Sequence, residues 1–125
     1  MSTYTIAELA REFDLTPRAI RFYEDHGLLS PAREGAGGRN RVYSARDRTR
    51  LKLTLRGKRL GLTLAEIKDI VDIYESPKDT EAQLHAFLAV LAKQRRTLEQ
   101  QRQDIEAALA DVTAHEDACR SLLRK

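Results

Sequence analysis

Arginine is the residue type with the most chemistry to offer in this chain, and it is unevenly placed. Arg18 and Arg21 stand three apart behind Thr16-Pro17, a spacing that sets both on one helical face. Between Arg33 and Arg59 come ten basic residues: Arg33, Arg39, Arg41, Arg46, Arg48, Arg50, Lys52, Arg56, Lys58 and Arg59. Only Glu34 and Asp47 oppose them. A guanidinium fork matches phosphate oxygens, so such a run broken by glycine and Tyr43 suits phosphate contact and hence nucleic acid. The run also reads as an ordinary solvated face, and Arg18 and Arg21 also read as ion-pair partners for Glu24 or Asp25. Tyr23 can offer its hydroxyl to a phosphate, with Ile20 and Phe22 turned inward. The surplus charge lies in the first part: residues 1–75 hold 14 Lys/Arg against 11 Asp/Glu, residues 76–125 hold 8 against 8.

Other chemistry is sparse. His26, His85 and His115 are far apart and form no nucleophile-and-base constellation. Gly35, Gly37 and Gly38 lack the spacing that cradles a phosphate. The chain is therefore not expected to be an enzyme, and no cofactor is implied. The single cysteine, Cys119, excludes an internal disulfide. His115 and Cys119 stand at i, i+4 beside Glu116 and could supply zinc ligands across a dimer, though a lone His/Cys pair also arises incidentally. Arg120 is the one basic neighbour that could activate the thiol. No apolar run reaches membrane-spanning length and no basic-then-apolar leader opens the chain, so a cytoplasmic location without membrane contact is expected.

Positioning these side chains requires helices. The 125 residues suffice for one compact domain and an appendage. Capping boxes at Thr5/Glu8, Ser44/Asp47 and Thr63/Glu66 mark helix starts. Thr16-Pro17 and Ser76-Pro77-Lys78-Asp79 place a hydroxyl before a proline at the first helical position. Gly27 and Gly61 sit where left-handed C-terminal caps are wanted. Helices are thus expected near 5–13, 16–26, 44–60 and 63–75, with a long one from about 77. The first two, joined by Asp14-Leu15, have the size of a helix-turn-helix. Between Leu28 and Tyr43 the glycines mark a β-hairpin wing, suited to contact more than to packing.

The long helix carries a heptad. Leu84, Leu91, Leu98, Ile105 and Val112 recur every seven residues, with Leu88 and Leu109 at companion positions. From Leu84 to Val112 is 28 residues, roughly 42 Å of helix at about 1.5 Å per residue. Such a stripe can pack on its own domain or on a second chain, and the preceding 75 residues are too few to cover it. Arg95, Arg102 and Glu116 fill the remaining companion positions, poor choices for a closed parallel zipper. An antiparallel pairing would bring the arginines to acidic residues on the partner, though the pattern alone leaves the direction open.

Taken together, the motifs resemble the MerR-type transcription regulators. The matching pieces are Tyr4-Thr5-Ile6-Ala7-Glu8-Leu9-Ala10, then Arg18-Ala19-Ile20-Arg21-Phe22-Tyr23-Glu24 with Gly27-Leu28-Leu29. Arg41-Val42-Tyr43-Ser44 and Arg59-Leu60-Gly61-Leu62-Thr63-Leu64-Ala65-Glu66-Ile67 follow in order. The resemblance implies a mainly α fold: a winged helix-turn-helix over 3–75, an antiparallel coiled-coil dimerisation helix over 76–113, and a short segment 114–125. It also implies a palindromic operator in double-stranded promoter DNA, distorted so that RNA polymerase can engage. Carried over by position, Arg18 and Arg21 would enter the groove, with Thr16, Pro17 and Arg39 among the other DNA-binding residues. Tyr23, Arg41 and Tyr43 would contact backbone, and Lys58 and Arg59 would belong to the second wing.

Metal-sensing members of that family carry cysteines at the start of the long helix, whereas residues 76–82 here have none. Iron–sulfur members need four. Arg46-Asp47-Arg48, the block Leu53-Thr54-Leu55-Arg56-Gly57-Lys58-Arg59, Gln83-Leu84 and the late cysteine resemble the branch controlling leucine and isovalerate degradation. That likeness implies a small-molecule effector of acyl-CoA type. A metal- or thiol-responsive regulator using His115 and Cys119 is the alternative, and a non-catalytic coiled-coil adaptor would leave the arginines idle. Replacing Leu91 and Leu98 together by aspartate is expected to yield monomers in sedimentation; an undisturbed dimer would defeat the zipper reading.

Overall fold

Capping chemistry sets where the helices begin. In the computed structural model, which describes residues 2–75 and 81–125, α1 (Ile6–Phe13) starts after Thr5. Thr5 Oγ1 accepts from the Glu8 N–H at 3.1 Å, and Glu8 Oε1 accepts from the Thr5 N–H at 3.0 Å. α2 (Pro17–Asp25) opens on Thr16, whose Oγ1 accepts from the Ala19 N–H at 3.1 Å. Reciprocal pairs also start α3 (Ala45–Arg59), through Ser44 and Asp47, and α4 (Leu64–Glu75), through Thr63 and Glu66. Each box satisfies N–H groups that the first turn leaves without helical partners. The start expected at Ser76-Pro77-Lys78-Asp79 lies outside the described residues.

The ends are equally local. Leu28 N–H reaches back to the Tyr23 carbonyl at 3.0 Å across Gly27, which sits at φ 77°. Leu62 N–H reaches the Gly57 carbonyl at 3.1 Å across Gly61, at φ 83°. Both closures need a left-handed residue that glycine adopts without a Cβ penalty. Between α1 and α2 that conformation falls to Asp14, at φ 55°, whose short side chain tolerates it. The two helices are thereby held in a tight helix-turn-helix.

The wing belongs to a three-stranded antiparallel sheet of β1 (Thr3–Tyr4), β2 (Ala32–Glu34) and β3 (Asn40–Ser44) in the order β1-β3-β2. β2 and β3 form the expected hairpin, closed by a 3₁₀ turn at Ala36–Gly38. β1 was not anticipated, because two residues carry no alternation to read. It pairs Thr3 with Ser44 and Tyr4 with Tyr43, fastening the chain start beside the wing.

The chain divides into two compact units, Met1–His85 and Ala86–Lys125. In the first, Leu9, Ile20, Leu28, Tyr43, Leu51, Ile67 and Val71 form the enclosed core. The second consists of helix alone, the continuation of α5 (Glu81–Leu123), which runs unbroken through 114–123. Along α5 the apolar positions Leu84, Leu88, Leu98, Ile105, Leu109 and Val112 are 43–61% exposed, and Leu91 is half-buried. No described helix is long and apolar enough to cross a membrane.

α3 packs tightly against α4 at Gly57, where an added Cβ would stand 2.7 Å from the Cγ1 of buried Ile67. Gly57→Ala gains about 1 kcal/mol of helix propensity, but forcing Ile67 aside costs about 1–3 kcal/mol. A net loss is expected, visible as a lower urea midpoint; a higher midpoint would show that α4 backs away freely.

Candidate nucleic-acid interface

α2 presents two unlike faces. Ile20 and Tyr23, three apart, point into the core, while Arg18, Arg21, Phe22 and Asp25 are exposed. The expectation that Phe22 faces inward is therefore corrected: Phe22 is 46% exposed and Tyr23 only 7%. The reason is rotational. Two residues from Ile20 is about 200° around a helix, whereas three residues returns to nearly the same side. Among the described residues Arg18 and Arg21 make no ion pair, so their pairing with Glu24 or Asp25 is not what the structure contains.

Glu24 is committed elsewhere. Its Oε1 accepts from Arg33 Nη2 at 3.2 Å, and its Oε2 accepts from Arg41 Nε at 2.8 Å and the Tyr43 hydroxyl at 3.3 Å. Arg33 and Arg41 face each other across the β2–β3 ladder, a like-charge pair that disfavours the hairpin unless an anion intervenes. The carboxylate supplies that anion and ties the wing to α2. Arg33 was missing from the expected site residues, and its signal lay only in the hairpin register.

Tyr43 is also corrected as a backbone contact. It is fully enclosed, and its hydroxyl is donated to Glu24. Tyr23, likewise buried, packs edge-on to Phe22 with ring centroids 5.8 Å apart. Arg41 is half-buried, with Nε held by Glu24. Thr16, Pro17 and Arg39 are exposed at the start of α2 and on the wing turn. Lys58 and Arg59 are exposed at the end of α3. No hydrogen bond or ion pair among the described residues joins these two to α2 or the wing.

Three charged side chains hold the frame beneath. Asp47 is buried, and its carboxylate accepts from the Ser30 N–H at 3.0 Å, the Ser44 N–H at 3.1 Å and Ser44 Oγ at 3.2 Å. Arg50, also buried, donates to the Leu28 carbonyl at 2.5 Å, to Asp72 at 3.0 Å and to Glu75. Burial raises the Asp72 and Glu75 pKa values, but hydrogen bonds from Lys68 and Arg50 to Asp72, and from Arg50 and Arg46 to Glu75, hold both below their ordinary values. Arg48 donates to Glu12, which lowers that carboxyl, and lies 5.9 Å from the ring centroids of Tyr4 and Phe13.

At the far end of α5, Val112, His115, Glu116, Cys119 and Arg120 line a shallow cleft. Among the described residues of one chain, no group of three or more His, Cys, Asp or Glu side chains is placed to hold a metal ion.

These features coincide with a known pattern. A family model described as MerR HTH family regulatory protein matches residues 4–72, and another described as MerR, DNA binding matches residues 48–114. The chain belongs to the MerR family. Like other MerR-family members it is a DNA-binding transcription regulator and not an enzyme. The HTH-type transcriptional regulator CueR of Salmonella typhi is 28% identical over 112 residues, 90% of this chain and 73% of that protein. A MerR-family regulator from Bacillus cereus has a crystal structure similar at TM-score 0.69 and 30% identity, covering 87% of this chain and 76% of that one. HiNmlR, a MerR-family regulator lacking the sensor domain and solved bound to promoter DNA, shares the fold at TM-score 0.62 and 24% identity, with 86% and 79% covered.

In this MerR-family chain the α2–wing junction carries a titration signature. Burial, then the Glu24 charge, pushes the Tyr43 pKa from 10.0 up to about 12, against the opposing pull of Arg41. A raised phenol pKa favours the protonated folded state. Its contribution is whole below pH 10.0 and is lost as pH rises through about 12. Tyrosinate absorbance is expected to show a late-titrating tyrosine that is absent from Tyr43→Phe. Ionisation of every tyrosine in one step near the ordinary value would refute the buried junction.

Proposed function

We propose that the chain acts as a homodimer on a palindromic promoter operator and distorts that DNA so that RNA polymerase engages it. The observation that carries this reading is the outward face of α2, where Arg18 and Arg21 make no ion pair among the described residues, beside a wing anchored by Glu24. Exposed donors with no internal acceptor are free for guanine edges. Thr16, Pro17, Arg39, Lys58 and Arg59, with the unused guanidinium N–H groups of Arg41, supply surrounding phosphate contacts. Tyr23 and Tyr43 support the surface from below. Bending a site costs of order 1–6 kcal/mol, which several phosphate contacts offset at moderate salt.

Two copies are needed to read a palindrome, and the exposed apolar stripe of α5 supports pairing through Leu84, Leu88, Leu91, Leu98, Ile105, Leu109 and Val112. The division of labour is then 3–75 for DNA, 76–113 for pairing and 114–125 for the tail. A regulator of promoter DNA works in the cytoplasm. The effector we assign is a small acyl-CoA-like catabolite of branched-chain amino-acid breakdown, on the likeness of the 46–59 block and Gln83-Leu84 to that branch. The cleft around His115 and Cys119 supports a metal or thiol effector less well, because one chain offers too few ligands there.

Binding to the DNA upstream of the neighbouring operon tests the reading. Arg18→Ala is expected to lose about 1–3 kcal/mol of specific binding while nonspecific binding falls less. Equal losses would demote Arg18 to a phosphate contact. Isovaleryl-CoA is expected to change affinity or bending; indifference to it, with a response to zinc or to thiol oxidation, would transfer sensing to His115 and Cys119.

A further inference from the structure

Phe22 is an unusual residue to leave open to water in the middle of α2. The ring is 46% exposed. It shares the outward face with Arg18, one turn earlier, and with Arg21, its neighbour. Its contacts lie to the sides: His26 at 4.2 Å between ring centroids, tilted 47°, and the edge of Tyr23 at 5.8 Å. His26 is itself fixed by a 2.9 Å hydrogen bond between its Nδ1 and the Phe22 carbonyl. The ring is thus braced, and it faces the same way as the arginines.

A benzyl side chain has no polar atom with which to read a base edge or grip a phosphate. In the major groove of B-DNA the apolar group on display is the C5-methyl of thymine; the other base atoms exposed there are chiefly donors and acceptors. From this geometry we infer that Phe22 reads a thymine methyl in each operator half-site, adding an A·T preference to the guanine contacts of Arg18 and Arg21. The inference rests on the groove-facing reading of α2 and goes beyond it by naming a base and an atom. A side chain that discriminates by one methyl gains from burying that group and the ring together, an effect of about fourfold in affinity per methyl.

The test removes the methyl from the DNA before touching the protein. The full chain selects its site from a randomised duplex pool, and each thymine of that site is replaced by deoxyuridine, one symmetry-related pair at a time. One pair is expected to weaken binding by about fourfold for each methyl lost. At that pair the same replacement is expected to leave Phe22→Ala unaffected, while Phe22→Leu keeps part of the discrimination. The double-mutant cycle isolates the coupling between ring and methyl. If no deoxyuridine pair weakens the unaltered protein, the inference is overturned without any variant. An equal effect on Phe22→Ala overturns it too, by assigning the methyl contact to another side chain. If the pool yields no preferred duplex, the regulator reading falls first and takes this inference with it.

Discussion

Two arginines facing each other across a short β-ribbon make a poor hairpin unless something stands between them. In this chain that something is one carboxylate on a different element. Glu24 collects Arg33, Arg41 and the Tyr43 hydroxyl, and so makes the wing compatible with its own charge. Exposed ion pairs contribute little, but this one is partly sheltered and shares its acceptor with a buried phenol. Removing the carboxylate would leave the Tyr43 hydroxyl without its acceptor and restore the repulsion between the arginines. The position of the wing relative to α2 therefore depends on it. Glu24 thus takes up Arg33 and Arg41 of the wing, while Arg18 and Arg21 of α2 make no ion pair among the described residues.

A second constraint acts on the exit of α2. Arg50 is buried, which costs desolvation, and it is tolerated because the Leu28 carbonyl, Asp72 and Glu75 share its donors. Its guanidinium spans from the residue following the α2 cap to the last turn of α4. Asp47 works alongside it, joining Ser30 to the Ser44 cap. The outward face of α2 is thus set by contacts at both ends: the Thr16 cap and Asp14 turn at the start, and Glu24, Gly27 and Arg50 at the finish.

Legibility followed the range of the interaction. The helix starts at Thr5, Thr16, Ser44 and Thr63 could be read because a cap and its partner lie three residues apart. The Glu24 hub could not, since its partners lie 9, 17 and 19 residues away and only the fold brings them together. The orientation of Phe22 was legible in principle from helical rotation, and the aromatic character of the residue suggested burial instead. The block resembling a catabolic branch has structural duties as well: Arg46 meets Glu75, Arg48 meets Glu12, and Gly57 admits Ile67. A likeness there reflects packing as much as the ligand sensed, which is why the effector was the least legible property of the chain.

Symmetry bears on how two copies of α5 would pair. In a parallel two-fold coil each seam position meets its own copy, so Arg95 would face Arg95 and Arg102 would face Arg102 beside the Leu98 layer. That arrangement concentrates like charge in the seam, where the apolar layers exclude the water that would screen it. An antiparallel two-fold pairing reverses the order of one strand, so neither arginine meets its own copy unless it lies on the axis. In a register that sets residue 95 opposite residue 105 of the partner, Glu99, Asp104 and Glu106 would flank the arginines. Leu84, Leu91, Leu98, Ile105 and Val112 line the seam in either direction. In a pair of this kind hydrophobic burial would drive association, and the charges at the companion positions would favour the antiparallel direction.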